Sequence, residues 1–424
     1  MQLIHPKKHP LTPPGKINIY SASSPLSKGG GGGIKKREGY PLNPLSEKPS
    51  PIIPKTEQLS QVKNTIDTRI SNIDANSNRR VGAYPYYLFH PPEKPILGTI
   101  IIFHSFGAIP HQMSLLAKSL FNNGFNIYQP CLAGHAFIPP EKYWPQAHIK
   151  PKLASLIKEK IKEDAVLQNY LNNIDANLDK FNFPTAREQE ILRERLLKIE
   201  PRLEDFFWAI ERESDKDFYR YFNSESLKYL IDARARLAEL AAMPGPIYAI
   251  GLSVGATVAL SLAATEPQRV KKVVAYAPLL KIREPKLSGF LHIAGLLNLK
   301  QNIWEENLYS SMEGLIAAVH MGKLLMVSQK RRNLWKVPTL FVLTENDEIA
   351  DIEKPQKFVE AIGGKWKGHR CYVYPRIDLV PHQMVDPRSP SNGMSNIFWR
   401  NLYRETRRFL QFGDIKEEKM GDLG

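Results

Sequence analysis

The chain has 424 residues, of which 42% are hydrophobic and 24% are charged, proportions typical of a soluble globular protein with a substantial core. Its two cysteines, Cys131 and Cys371, are too few for a disulfide scaffold and form no C-x-x-C pair. The sequence contains no run of about 18 apolar residues that could span a bilayer. The first thirty residues also lack the apolar stretch of a signal peptide. We therefore expect a soluble, cytoplasmic protein.

The net charge of +15 is concentrated near the amino end, where residues 1–80 carry 13 Lys and Arg against five Asp and Glu. Residues 1–54 are rich in Pro, Ser, Gly and Lys, and the glycine run at 29–33 cannot hold a fixed backbone by itself. We predict a disordered basic arm over 1–80, within which 55–75 could form a short helix. Such an arm is either a solubilising tail or a contact for acidic lipids or an acidic partner. No nucleic-acid-binding motif accompanies it, so nucleic acid is not expected as a partner.

From residue 81 onward, predicted strands alternate with predicted helices. The apolar run G-T-I-I-I-F-H at 98–104 is typical of a strand buried on both faces. The other predicted elements are strands at 84–90, 125–130, 246–251, 270–277, 338–344 and 369–374, and helices at 111–123, 226–243, 254–265, 354–363 and 395–412. This alternation predicts an α/β fold with a mostly parallel central sheet flanked by helices.

Two segments interrupt the alternation. Residues 139–225 are charged, helical in pattern and nearly free of strands, with two helices separated near Pro201. Residues 280–333 form a second helical segment in the position of a lid. The predicted core therefore consists of 81–138, 226–279 and 334–412, followed by a tail at 413–424.

The strongest motif is G-L-S-V-G at 251–255, which lies between an apolar strand and a helix of small residues. A sharp turn from strand to helix strains and exposes Ser253, and the two glycines allow the strand and the helix to approach each other. This pattern predicts Ser253 as a nucleophile. The alternative is an ordinary tight turn at the start of a helix.

A serine nucleophile needs a base, and the base needs an acid that orients it. Asp347 follows the strand at 338–344, at the sheet edge where sites in parallel sheets form. Glu348 and Asp351 lie in the same loop and are alternatives, although Asp351 could instead cap the next helix. His382 lies in the loop after the last strand and is the predicted general base, because the chain order Ser, Asp, His matches this architecture.

The developing oxyanion also needs hydrogen-bond donors. The predicted donors are the backbone N–H groups of Val254, directly after the nucleophile, and of Phe106, in the loop after the strand at 98–104. Gly107 gives that loop its freedom to turn, and His104 is expected to pack beneath it. The tripeptide His-Gln-Met occurs at 111–113 and at 382–384, and we interpret this repetition as chance.

The motifs H-S-F-G-A (104–108), L-A-G-H (132–135), G-L-S-V-G, T-E-N-D-E-I-A-D (344–351) and V-P-H (380–382) together resemble the α/β-hydrolase superfamily. The resemblance covers about 83–138 and 226–412 and is greatest to the serine aminopeptidase-like or monoacylglycerol-lipase-like branch. It implies an α/β-hydrolase fold with helical insertions that act as lid or cap. Ser105 and Ala136 stand where that branch usually has glycine, and the insertion at 139–225 has no counterpart in its simple members.

The leading hypothesis is a serine hydrolase that cleaves a carboxylic ester or thioester of a small-molecule acyl substrate. Apolar residues of the lid segment could bind the acyl group or simply hold the lid to the core; they are Phe290, Leu296, Leu297 and Met321. A peptidase or amidase and a catalytically silent binding module remain alternatives. No cofactor or metal is expected, because the sequence has no H-E-x-x-H, phosphate-binding loop or dinucleotide-binding glycine motif.

Overall fold

The computed structural model describes residues 49–175, 185–211, 215–283, 300–302 and 309–422. Its helices and strands in chain order are α1 (Thr56–Asp74), β1 (Tyr86–Leu88), β2 (Thr99–Phe103), α2 (Ser114–Asn122), β3 (Asn126–Gln129), α3 (Pro140–Tyr143), β4 (Ala147–Ile149), α4 (Pro151–Glu163), α5 (Ala165–Asp175), α6 (Ala186–Ile199), α7 (Leu203–Glu211), α8 (Asp215–Tyr221), β5 (Phe222–Ser224), α9 (Leu227–Glu239), β6 (Ile247–Leu252), α10 (Val254–Thr265), β7 (Val270–Tyr276), β8 (Lys300–Asn302), β9 (Tyr309–Ser311), α11 (Met312–Val327), β10 (Thr339–Thr344), α12 (Glu353–Ala361), β11 (Arg370–Tyr374) and α13 (Trp399–Phe412).

The central sheet has seven strands in the order β1-β3-β2-β6-β7-β10-β11. Strand β1 runs antiparallel to β3, and every other neighbouring pair is parallel. The predicted mostly parallel sheet is therefore confirmed. Each strand predicted from an apolar run is present within two residues of its expected ends, because continuous β-branched and aromatic runs suit strands that are covered on both faces.

Helices cover both faces of this sheet. Alternate residues of a strand point to opposite faces, so Ile101 and Phe103 belong to one core cluster and Ile100 and Ile102 to another. The first cluster joins the sheet to α1, α9, α10, α11 and α12, and the second joins it to α2 and α13. Three layers with a fully covered sheet result, as expected for an α/β-hydrolase fold.

The described part of the segment 139–225 contains helices α3 to α8. Its helices α6 and α7 are separated at Pro201. The prediction of a nearly strand-free segment missed one antiparallel pair, β4 with β5, which closes the ends of the insertion against each other. Each of these strands has only three residues, too few for a recognisable alternation in the sequence.

The predicted boundary of the disordered arm at residue 80 is wrong. Helix α1 buries Leu59, Val62 and Ile66, spaced three and four residues apart, in the main core. The helix expected at 55–75 is thus present and belongs to the folded part of the chain. The composition of residues 1–80 does not reveal this spacing, because basic and polar residues lie between the apolar positions. Residues 1–48 lie outside the described residues.

Two further segments differ from the simplest expectation. In the predicted lid, 284–299 and 303–308 lie outside the described residues, and the described part contains the antiparallel pair β8 and β9 as well as α11. The described part of the tail, 413–422, is anchored, since Ile415 and Met420 are buried in the cluster around α13. Cys131 and Cys371 are free thiols, as predicted. None of the described helices is both long and apolar enough to cross a membrane.

Candidate active site

Ser253 lies between β6 and α10 with φ of 58° and ψ of −120°, a strained conformation for a residue with a side chain. A Cβ atom on Gly251 would lie 2.2 Å from the carbonyl carbon of Gly255. A Cβ atom on Gly255 would lie 2.3 Å from the carbonyl oxygen of His104. Only glycine fits at either position, so the strand, the sharp turn and the helix predicted from the motif are all present.

Asp347 and His382 are in contact and both are buried. His382 Nδ1 lies 2.9 Å from Oδ1 and 2.8 Å from Oδ2 of Asp347. The Asp347 carboxylate also accepts hydrogen bonds from the backbone N–H groups of Ile349, at 2.9 Å, and Ala350, at 2.6 Å. These four hydrogen-bond contacts fix the orientation of the carboxylate, and the carboxylate fixes the orientation of the imidazole ring.

The two alternative acids make different contacts. Glu348 Oε2 accepts a hydrogen bond from the backbone N–H of His382 at 3.1 Å, so Glu348 holds the loop and not the ring. Asp351 Oδ1 accepts from the N–H of Lys354 at 2.7 Å, in the first turn of α12. Asp351 thus has the capping contact that was its alternative interpretation. Among these three acids the imidazole contacts only Asp347.

Burial and charge act in opposite directions on His382. Burial by itself lowers the pKa of the imidazole, but the charge of Asp347, its hydrogen bond and the charge of Glu348 outweigh burial and raise the pKa above its ordinary value of 6.5. Nδ1–H donates to Asp347, which leaves Nε2 as the basic nitrogen of the neutral ring. Nε2 is buried and has no hydrogen-bond partner among the described residues.

Ser253, Asp347 and His382 all follow the carboxyl ends of parallel strands, β6, β10 and β11 respectively. Hydrogen bonds connect the ends of neighbouring strands: the N–H of Ser253, after β6, donates to the carbonyl of Tyr276, the last residue of β7, at 2.9 Å, and Thr344 Oγ1, at the end of β10, donates to the carbonyl of Val380, in the loop after β11, at 2.6 Å. The three predicted residues therefore share one edge of the sheet, where open α/β folds bind ligands.

The predicted oxyanion donors are the backbone N–H groups of Val254 and Phe106, and their role stays a prediction. Val254 is the first residue of α10, so its N–H has no acceptor within the helix. The N–H of Phe106 donates no hydrogen bond to any described residue. His104 is buried; its Nδ1–H donates to Ser105 O at 2.8 Å and its Nε2 accepts from Leu132 N–H at 3.0 Å. Burial lowers the pKa of His104 to about 3, consistent with the neutral packing residue predicted from the sequence.

Arg80 is the first residue that the sequence analysis missed. Its buried guanidinium donates to the carbonyl of Gly107 at 2.7 Å and to that of Ala108 at 3.1 Å. The backbone N–H of Arg80 also donates to the carbonyl of Ala136 at 2.8 Å. Arg80 thereby ties the Phe106 loop to the loop that follows β3. Because of the composition of residues 1–80, Arg80 was predicted to belong to the disordered arm.

Gln112 is the second missed residue. Its Oε1 accepts from the Ser105 N–H at 2.9 Å, and its Nε2 donates to Ser105 Oγ and to Gln383 Oε1, both at 2.8 Å. The Phe106 loop is thereby connected to the residue directly after His382. The connected glutamines are the central residues of the two His-Gln-Met tripeptides, so the repeated tripeptide was the signal that the sequence offered. Ser105, which departs from the family's usual glycine, provides two of the contacts.

The predicted acyl-binding residues are only partly described. Phe290, Leu296 and Leu297 lie outside the described residues. Met321 is buried in the main core cluster on α11, and its role in substrate binding stays a prediction.

The core of the 139–225 insertion includes Ile282 and Ala350, which lie in the segments after β7 and β10. Within the described part of the chain, no group of three or more His, Cys, Asp or Glu could hold a metal ion.

Comparisons with known proteins address the class of this chain. The Esterase family matches residues 204–360, which is less than half of the chain and includes the Ser253 turn and Asp347. No curated protein matches the sequence significantly.

Many solved structures resemble the fold, all at low sequence identity. A monoglyceride lipase from Saccharomyces cerevisiae has 12% identity and a TM-score of 0.47, and covers 81% of this chain and 98% of its own. A structure from the pair LipS and LipT, two metagenome-derived lipolytic enzymes, has 12% identity and a TM-score of 0.45, and covers 78% of this chain and 98% of its own. The monoacylglycerol lipase of Paleococcus ferrophilus has 13% identity and a TM-score of 0.43, with 78% and 99% covered. Because these TM-scores lie below 0.5, we draw no functional conclusion from the likenesses.

The sheet order, the strained serine between β6 and α10 and the family match together define the class of this protein. It is an enzyme of the α/β-hydrolase superfamily.

Proposed function

We propose that this protein hydrolyses carboxylic esters through an acyl-enzyme, with Ser253 as nucleophile, His382 as general base and Asp347 as the acid that orients the histidine. The observation that carries the proposal is the state of His382. Its Nδ1 is hydrogen-bonded to Asp347, and its buried Nε2 has no hydrogen-bond partner among the described residues. His382 lies at the same edge of the sheet as the strained Ser253. A buried basic nitrogen without a partner is costly unless it serves a reacting group.

The proposed reaction needs two proton transfers in each half. Ser253 Oγ forms a bond to the ester carbonyl carbon as its proton passes to His382 Nε2, and the tetrahedral oxyanion is held by the N–H groups of Val254 and Phe106. The imidazolium then protonates the leaving alkoxide, the carbon–oxygen bond breaks, and an acyl-serine remains. Water repeats the sequence and releases the carboxylic acid. Asp347 stays ionised throughout and stabilises the imidazolium.

The ester bond is the proposed scissile bond because the Esterase family matches the segment that contains Ser253 and Asp347. Thioesters react through the same acyl-serine, whereas an amide needs its leaving nitrogen to be protonated before the carbon–nitrogen bond breaks. A comparison of p-nitrophenyl acyl esters, acyl thioesters and aminoacyl p-nitroanilides separates these substrates. We expect turnover of the acyl esters; turnover of the aminoacyl anilides alone would replace this proposal with a peptidase.

A fluorophosphonate probe tests the nucleophile directly, because it phosphonylates only a serine activated by a base. We expect the folded full-length chain to be labelled and peptide mapping to locate the label on Ser253. Protein unfolded by heat before the probe is added serves as the control and should stay unlabelled. A folded wild type that resists labelling, or a label on another serine, would support the catalytically silent alternative or a different site.

Arg80 provides a second test, as a residue that positions the proposed oxyanion loop. We expect Arg80→Met to lower kcat and the fluorophosphonate labelling rate by about tenfold or more with little change in KM, because misplaced oxyanion donors cost transition-state stabilisation. Arg80→Lys should restore only part of the rate, since one ammonium cannot hold both carbonyls in a fork.

The matched control for Arg80 is Arg79→Met, which removes an exposed side chain paired with Asp74 at 3.1 Å. This variant should keep the wild-type rates. The thermal midpoint of each variant shows whether the fold persists. A folded Arg80→Met with unchanged kcat would mean that Arg80 does not position the loop for catalysis.

A further inference from the structure

Two neighbouring surface segments form what we call the tryptophan patch. It lies on the 3₁₀ helix Gln329–Lys336 and on the 3₁₀ turn Gly364–Lys367. The patch consists of the exposed residues Lys330, Arg331, Arg332, Trp335, Lys336, Lys365, Trp366 and Lys367. The Nζ atom of Lys367 lies 5.8 Å from the centre of the Trp335 ring, so the two segments are in direct contact.

The two tryptophans are unusually exposed for such large apolar side chains: 97% for Trp366 and 49% for Trp335. Indole rings normally bury most of their area. The backbone under Trp366 is well fixed, because Gly363 and Gly368 adopt left-handed conformations at either end of its turn and the N–H of His369 donates to Gly364 O at 3.1 Å. Trp366 is thus held at the tip of an ordered turn and points into solvent.

The patch is also strongly basic. Of its six cations, only Lys365 has an ion-pair partner among the described residues, Glu417 at 3.6 Å. Glu360 lies beside Gly364. The six exposed cations, of which one is ion-paired, give a positive surface around two exposed indoles. The 3₁₀ helix is held in place by buried Leu334 and by Asn333 Nδ2, which donates to the Ala264 carbonyl at 2.9 Å.

We propose that the tryptophan patch is a docking surface for a membrane that contains anionic lipids. Indole rings partition to the boundary between headgroups and acyl chains, and neighbouring Lys and Arg are attracted to the negative surface of such a bilayer. The shape of the patch favours this partner over single-stranded nucleic acid, which binds in grooves lined by stacking aromatics. Trp366 protrudes from a turn, and a protruding indole can enter a lipid layer.

The position of the patch separates docking from catalysis. Its segments precede β10 and β11, at the amino ends of these parallel strands, whereas Ser253, Asp347 and His382 follow the carboxyl ends. A six-residue strand spans roughly 20 Å, so the docked protein would keep the proposed active site away from the bilayer and open to substrate in water. The inference does not depend on the proposed function, and its failure would leave that function untouched.

The test is co-sedimentation of the full-length chain with phosphatidylcholine vesicles, with and without phosphatidylserine. We expect binding only to the phosphatidylserine vesicles. Trp366→Ala should lower the partition coefficient by about tenfold, because the indole loses its apolar burial. The double variant Arg331→Glu, Lys336→Glu should lower it by about 25-fold or more, because each cation near an anionic surface contributes about fivefold.

Two matched controls leave the basic arm unchanged, and each has the same net charge as the patch variant with which it is compared. Ile377→Ala removes an apolar side chain that is 86% exposed outside the patch, and Lys152→Glu, Lys158→Glu reverses two exposed cations on α4. Both controls should bind as wild type. Circular dichroism and the rate of hydrolysis of a water-soluble ester should be the same for all variants.

Three results would overturn the proposal. The first is a wild type that fails to bind phosphatidylserine vesicles. The second is a pair of patch variants that bind as tightly as wild type, which would assign binding to residues outside the patch. The third is tight binding of a labelled single-stranded RNA that is lost in Trp366→Ala, in the absence of vesicle binding, which would assign the patch to nucleic acid.

Discussion

Replacement of Ser253 by alanine is expected to lower kcat for ester hydrolysis by about a millionfold, the effect of removing the nucleophile in a well-studied serine protease. The expectation rests on the proposed function and on the strained conformation of the turn at 253. The measurement is a progress curve with an activated acyl ester at saturating concentration. Binding of substrate should persist, because alanine removes a single oxygen.

Ser261 offers a matched control for this substitution. It lies on α10, the helix that begins directly after Ser253, and both serines are 4% exposed. Its hydroxyl makes no hydrogen bond to a described residue, and it follows Ser253 by two turns of helix. Ser261→Ala should keep the wild-type kcat. If Ser253→Ala and Ser261→Ala were equally active, Ser253 would not be the nucleophile.

The same strain predicts an opposite effect on stability. Ser253→Gly should also be inactive, yet its free energy of unfolding should rise by about 1 kcal/mol, because glycine adopts φ of 58° without steric cost. Chemical denaturation of wild type and of this variant gives the difference. A lower stability for the glycine variant would mean that the turn at 253 stores no strain.

Replacement of Asp347 by asparagine is expected to lower kcat by about 10⁴-fold with the fold intact, since an amide no longer holds the imidazole in the productive tautomer. The side chains have nearly the same volume, so the packing around position 347 should persist. Glu348→Gln is the control in the same loop, because Glu348 contacts the backbone of His382 and not its ring. A comparable loss in Glu348→Gln alone would move the acid to position 348.

The pH profile of kcat/KM separates the role of Asp347 from a merely structural one. The proposed base acts when neutral, so activity falls as the pH drops through the pKa of His382, which is raised above 6.5. In Asp347→Asn the charge and the hydrogen bond of Asp347 are gone, so only the charge of Glu348 still raises the pKa of His382, and burial, the largest influence, lowers it. The acid limb of the profile should therefore move to lower pH. An unchanged limb would show that another group controls it.

Stability should depend on pH in the opposite sense to activity. A group whose pKa is raised in the folded state stabilises that state fully below its unfolded pKa, here about 6.5, and the contribution is lost as the pH rises through the folded value. Protonated His382 paired with Asp347 thus favours folding under conditions in which the proposed base is inactive. His382→Gln should flatten this part of the stability profile.

The sequence by itself determined the elements and their class. Continuous apolar runs such as 98–104 identified the buried strands, because strands covered on both faces consist mostly of apolar side chains. The motif at 251–255 identified the turn, because glycines on both sides of a serine are needed wherever a strand and a helix cross within one residue. The motif order also indicated which loops would meet at the carboxyl edge of the sheet.

Only the tertiary structure decided which acid contacts His382 and which residues hold the Phe106 loop. Asp347, Glu348 and Asp351 lie within five positions of one another, and a sequence does not specify the direction of each side chain. Arg80 and Gln112 act across 27 and 271 positions, on Gly107 and Gln383 respectively. Such contacts depend on loops that only the folded sheet brings together, and local composition even assigned Arg80 to a disordered arm. Local patterns specify secondary structure, whereas long-range hydrogen bonds arise from the packing of the whole chain.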